Sequence, residues 1–273
     1  MSEAHTALIE PLGRSARVSQ QAFFGVSALL FAVSAAVTIA WDTSMSANGE
    51  LAMPGGGMSV AWMRMPGQTW SAAAASFIGM WIVMMLAMML PSLVPMLLRY
   101  RRAVGEAGET HLGCLTAIVG AAYFLVWTVF GAAAYPLGIA LAAIEMRLPV
   151  LARGAPTAVG LVISLAGVFQ FSAGKARHLA CCRAAPERGV ALPADTATAW
   201  RHGVRLGLHC CYCCGGLIAM LLVIGIMDLR AMAAATVANI LERLAPAGER
   251  VARAIGAVVV AAGLLLIVRA AGL

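Results

Sequence analysis

The chain has 273 residues, of which 62% are hydrophobic and 11% charged, with a mean hydropathy of +0.88 and a formal charge of +7. Soluble domains carry about 45–50% apolar and roughly 25% charged residues. A chain this apolar cannot be covered by its own polar surface, which excludes an ordinary soluble enzyme and points to an all-α, polytopic transmembrane helix bundle with the lipid bilayer as its solvent.

Residues 1–22 are polar and read as a cytoplasmic N-terminal tail. The remainder, 23–273, reads as one transmembrane helical domain. No cleaved signal peptide is expected, because the first apolar run, Phe23 to Trp41, exceeds a typical h-region. Spans are expected at about 23–41, 72–98, 114–143, 157–174, 207–227, 229–244 and 254–271, near the length that crosses a bilayer as helix. They lack the short alternation of membrane barrels. The count is seven, or six if 229–244 does not cross.

Between the first two spans lies a Met-rich outer loop, 42–69, with Met45, Met53, Met58, Met63 and Met65. The second span reads MWIVMMLAMMLPSLVPM. Met80, Met84 and Met88 fall four apart on one face, and Met85 and Met89 make a row beside them. Thioethers are soft, neutral ligands suited to Cu(I), so Met84 and Met88 are read as path residues. A Met stripe at helical spacing is equally a packing surface.

The fourth span is followed by KARHLACCR, opening an inner loop at 175–206, and the fifth begins with GLHCCYCCGG. His178, Cys181 and Cys182 are thereby expected at the same cytoplasmic depth as His209, Cys210, Cys211, Cys213 and Cys214. Pairs three or four apart share a helix face. A four-donor site therefore needs one pair from each helix end, for example His178 and Cys182 with Cys210 and Cys214. The best candidates are His178, Cys182, Cys210, Cys213 and Cys214, with His209, Cys181 and Cys211 secondary. Two C-x-x-C spacings, Cys210 to Cys213 and Cys211 to Cys214, leave thiol redox work open, since thiolate is favoured at a helix start. Cytoplasmic thiols are kept reduced, which argues against structural disulfides.

Gln170 and Asn239 read as interhelical hydrogen-bonding groups, and Glu242 beside Arg243 as a solvated inner cap. With the N-terminus inside, fourteen of the nineteen basic residues fall on the cytoplasmic side and five outside. Topology therefore accounts for the net charge without a nucleic-acid partner. Nucleotide-binding, metalloprotease and nucleophile-elbow motifs are absent, so an enzyme is the less expected class.

The combination of MMLAMMLPS, GVFQFSAGKARHLACCR, GLHCCYCCGGLIAMLLVIGIMD and LERLAP resembles a bacterial family of predicted metal-binding integral membrane proteins, domain of unknown function 2182. The resemblance runs from about residue 70 to 273. It implies ligands at His178, where the family has a thiol, and at Cys182, Cys210, Cys213 and Cys214; Cys181 and Cys211 look additional, and Gly215 stands where the family has a bulky aromatic. The expected function is binding of a soft transition metal, Cu(I) first and Zn(II) next, for transport or delivery in the bacterial inner membrane. A metal-donating or metal-accepting protein is the implied partner, and a homo-oligomer is compatible with the sequence. The alternatives are a membrane thiol–disulfide oxidoreductase and an assembly subunit with incidental thiols.

Overall fold

The computed structural model describes residues 2–47, 67–104, 111–147, 149–183, 193–226 and 228–272. Among them the fold is all-helical: α1 (Ser2–Ala47), α2 (Trp70–Val104), α3 (Leu112–Arg147), α4 (Pro149–Phe169), α5 (Ala173–Arg183), α6 (Thr196–Ile224), α7 (Leu229–Leu244) and α8 (Gly248–Ala270). Met53, Met58, Met63 and Met65 lie outside the described residues, as does the side chain of Met45.

Five stretches are long and apolar enough to cross a membrane: Arg17–Ser44, Trp70–Val104, Leu112–Ile144, Thr196–Ile224 and Gly248–Ala270. A sixth exists if α4 and α5, bent by 61° across residues 170–172, act as one span. The expected straight helix over 157–174 is thus broken, and α5 turns aside. Segment 229–244 forms the 16-residue α7, which is not among the candidate spans.

Helix α6 starts well before the expected residue 207. Asp195 caps it, accepting from the Thr198 N–H and hydroxyl at 2.8 and 2.7 Å. Those bonds, the backbone one first, hold the exposed Asp195 carboxyl below the usual carboxylate range. Gly225, at φ 141°, ends α6, and Asp228 caps α7 through the Ala231 N–H. The two helices fold back on each other as a hairpin. Cys214 and Asn239, ten residues from the near helix ends at Ile224 and Leu229, meet across it. At 1.5 Å per residue they lie about 15 Å below the turn.

Small residues set the closest helix contacts. Antiparallel α4 and α8, the most extensively packed pair, meet through Gly160 and Gly167 on one helix and Gly263 and Gly256 on the other. A Cβ at Gly167 would stand 2.9 Å from the Gly256 carbonyl oxygen, and one at Gly263 2.7 Å from that of Gly160. Likewise Gly203 and Gly207 seat α6 against Val119 and Val126 of α3. Such close approach is the usual way helices associate when lipid removes the hydrophobic driving force.

The second helix supplies the core. Met80, Met84, Met85, Met88 and Met89 are all buried, together with Trp81, whose indole N–H donates to the Trp127 carbonyl at 2.8 Å.

Candidate metal centre

Cys210, Cys213 and Cys214 of α6 are buried on a face of that helix that meets side chains of α2, α3 and α7. The Cys210 and Cys214 sulfurs are 3.9 Å apart, those of Cys213 and Cys214 3.7 Å. Cys182 of α5, also buried, joins Cys213 in the same core cluster as its near neighbour. Met89 of α2 places its thioether 4.0 Å from the Cys210 sulfur. The site therefore holds four thiols and a thioether from three helices.

Polar groups from two further helices fix this sulfur cluster. The Tyr123 hydroxyl lies 2.8 Å from the Cys210 sulfur. Cys214 donates to Asn239 Oδ1 at 3.1 Å, while Asn239 Nδ2 donates to Ser92 Oγ at 3.2 Å and faces the Met89 sulfur at 3.4 Å. The Arg243 guanidinium is 3.3 Å from the Cys213 sulfur and 3.5 Å from that of Cys214, with Ser92 Oγ at 3.4 Å and the Met96 sulfur at 3.8 Å.

Glu242 and Arg243 are not a solvated cap: they are 1% and 2% exposed. Glu242 instead forms a 2.6 Å ion pair with the equally buried Lys175 of α5. The two neighbours in sequence project to different partners, as successive residues on a helix must.

The imidazoles pair with each other. The Nδ1 atoms of His178 and His209 are 2.8 Å apart, the His178 ring lies 4.0 Å from that of Tyr212, and Arg205 approaches His209 Nε2 at 3.4 Å. Both histidines are half-buried. Each precedes a cluster cysteine (Cys182 and Cys213 respectively) by four residues, about 6 Å of helical rise. Of the secondary candidates, Cys181 is exposed and Cys211 half-buried against the core.

Three expectations change. The thiols do not sit at a helix start: Cys210 is fourteen residues into α6, beyond the first turn over which a helix dipole acts. The thioether at the thiols is that of Met89, while Met84 and Met88 are packed in the core. Gln170, expected to bond across helices, has no partner at either amide atom among the described residues. Asn239 does bond across helices, and Arg243, expected at a solvated cap, lies among the sulfurs. An arginine near the end of a short, mostly apolar helix is the signal that was open to reading; nothing in the sequence marks Tyr123.

Metal–sulfur bonds of about 2.3 Å in a tetrahedral site put sulfurs about 3.8 Å apart, so the two measured separations suit ligation. The sulfurs nonetheless engage one another, Asn239 and Arg243. Among the described residues no group of three or more His, Cys, Asp or Glu side chains is arranged to hold a metal ion. Soft sulfur donors without a carboxylate favour a soft, low-charge ion. Residues 78–266 match the PpoB2 family, described as a copper chaperone. The chain belongs to that family. The matched residues include Met89, Cys182, Cys210, Cys213 and Cys214. No curated protein and no solved structure matches the chain.

Proposed function

We propose that the protein is a multi-pass protein of the bacterial inner membrane that binds Cu(I) as cargo at Cys182, Cys210, Cys213 and Cys214, with Met89 as a neutral further donor, and hands it to a partner protein. The gathering of four thiols and a thioether in one buried place carries this reading. Rotation of the thiols about χ1 would exchange their present hydrogen bonds for bonds to the ion. The half-buried histidine pair, one turn away, is the donor set nearest the edge and suits the entry or exit of copper. The resemblance to the metal-binding membrane family of domain 2182 points the same way, as does the abundance of basic residues on the segments assigned to the cytoplasm.

Cu(I) is preferred to Zn(II) because thioether and thiolate donors are soft and no carboxylate joins them. Thiol–disulfide exchange is the weaker reading. It requires an attacking sulfur that a partner disulfide can reach, and Cys210, Cys213 and Cys214 are buried.

The deciding measurement is the copper content of protein purified under reducing conditions and loaded with Cu(I). About one equivalent is expected for the wild type, and less than about 0.2 for the triple variant Cys210→Ser, Cys213→Ser, Cys214→Ser. Equal copper in the two proteins would overturn the reading.

A further inference from the structure

Arg243 is the one residue in the sulfur cluster with a permanent charge. A guanidinium is never deprotonated in a protein, and burying a charge without a counter-charge is strongly unfavourable. Arg243 is 2% exposed, yet among the described residues no carboxylate lies within ion-pair distance of it. The adjacent Glu242 is committed to Lys175. What Arg243 does face is a serine hydroxyl, the Met96 thioether and the sulfurs of Cys213 and Cys214, and its Nε has no partner. Its surroundings are thus weak acceptors, with two groups that become anionic when they hold a metal.

Resting on the Cu(I) reading above, we infer that Arg243 is the built-in counter-charge of the loaded site and sets its specificity: it selects a copper–thiolate complex of net charge −1. The balance is simple. A Cu(I) monocation enters, two thiols release their protons to water, and two Cu–S bonds replace two S–H bonds. The resulting complex carries one negative charge, which the guanidinium cancels. Met89 can raise the coordination to three without adding charge, whereas a third thiolate would leave the buried site with a net negative charge. Arg243 is therefore a positioning residue: it acts through the sulfurs of Cys213 and Cys214.

The test is Cu(I) affinity by competition with the chromophoric chelator bicinchoninate, with thermal melting of the copper-free forms alongside. Arg243→Met is expected to weaken Cu(I) binding about a hundredfold. Its copper-free form should melt no lower than wild type, because an uncompensated charge has been removed. Arg243→Lys, which keeps the charge, should recover at least about tenfold of the lost affinity. It also serves as the informative variant if Arg243→Met does not fold. The inference is overturned if Arg243→Met binds within about threefold of wild type, or if Arg243→Lys is as weak as Arg243→Met, which would mean that shape rather than charge is needed. Absence of Cu(I) binding by the wild type would overturn the parent proposal and this one together; the other two outcomes leave the parent standing.

Discussion

At the scale of single residues, Met89 separates a binding role from a packing one. It and Met84 are both 1% exposed and chemically identical, but only Met89 is seen against a thiol. Leucine replaces methionine at similar volume for less than about 1.5 kcal/mol. Met89→Leu is thus expected to lower Cu(I) affinity about tenfold, as loss of one neutral donor, while Met84→Leu leaves it within about twofold; chelator competition on the two variants reads the difference. Equal effects would return the whole stripe to packing. Both rows were visible in the sequence, because thioethers four apart share a face. Which row meets the cysteines depends on the rotation of α2 about its axis, and that is set by large groups such as Trp81 lodging against the gap at Gly131. The clustering of Cys182 with the three thiols of α6 was legible from their placement at facing helix segments. The pairing of the two histidines with each other was not, since His178 and Cys182 share a face and only the tilt of α5 decides which donor meets which.

At the scale of elements, the glycines of α4 and α8 matter more than their apolar neighbours. A side chain at Gly167 would meet the backbone of α8 at 2.7 Å, and backbone cannot swing aside. Gly167→Val should therefore destabilise the protein by about 1–3 kcal/mol through overpacking. Gly120→Ala in α3, where nothing lies within 4 Å of the added carbon, should be neutral or gain up to about 1 kcal/mol from helix propensity. Urea titration in detergent micelles checks both. The seven-residue spacing of Gly160 with Gly167 and of Gly256 with Gly263 could have been read beforehand as a pair of matching close-contact faces. The break between α4 and α5 could not, because GVFQFSAGK contains no proline and its two glycines, Gly167 and Gly174, lie on either side of the bend. Early onset of α6 was legible in part: Asp195 followed by Thr196 and Thr198 is an N-cap signature, although the apolar run begins only later.

At the scale of the whole molecule, the helical class followed from composition and the length of the apolar runs, while span number depended on tertiary detail. The 229–244 segment illustrates why. Its mixed sequence, LRAMAAATVANILER, leaves open whether it crosses, yet Asn239 and Glu242 are buried because other helices supply Ser92, Cys214 and Lys175 opposite them. Polar groups inside a bundle are satisfied by partners distant in sequence, so hydropathy summed along the chain undervalues such a helix. The same arrangement shields the thiols from reagents. Maleimide applied to the native, copper-free protein is expected to modify the exposed Cys181 quickly and Cys210, Cys213 and Cys214 only after denaturation; peptide mass mapping identifies the order. Fast native labelling of Cys213 would contradict the enclosure described above.

The sulfur cluster draws on chain positions as far apart as Met89, Cys182 and Asn239, which meet only once the helices have assembled. An ion gripped there would bind the assembled chain and not the unfolded one, so its binding energy is added to the stability of the fold, about 2.7 kcal/mol when free ion exceeds the dissociation constant a hundredfold. Cargo and scaffold would then report on each other: a rise in melting temperature measures occupancy, and a carrier that has delivered its ion becomes the form most easily unfolded.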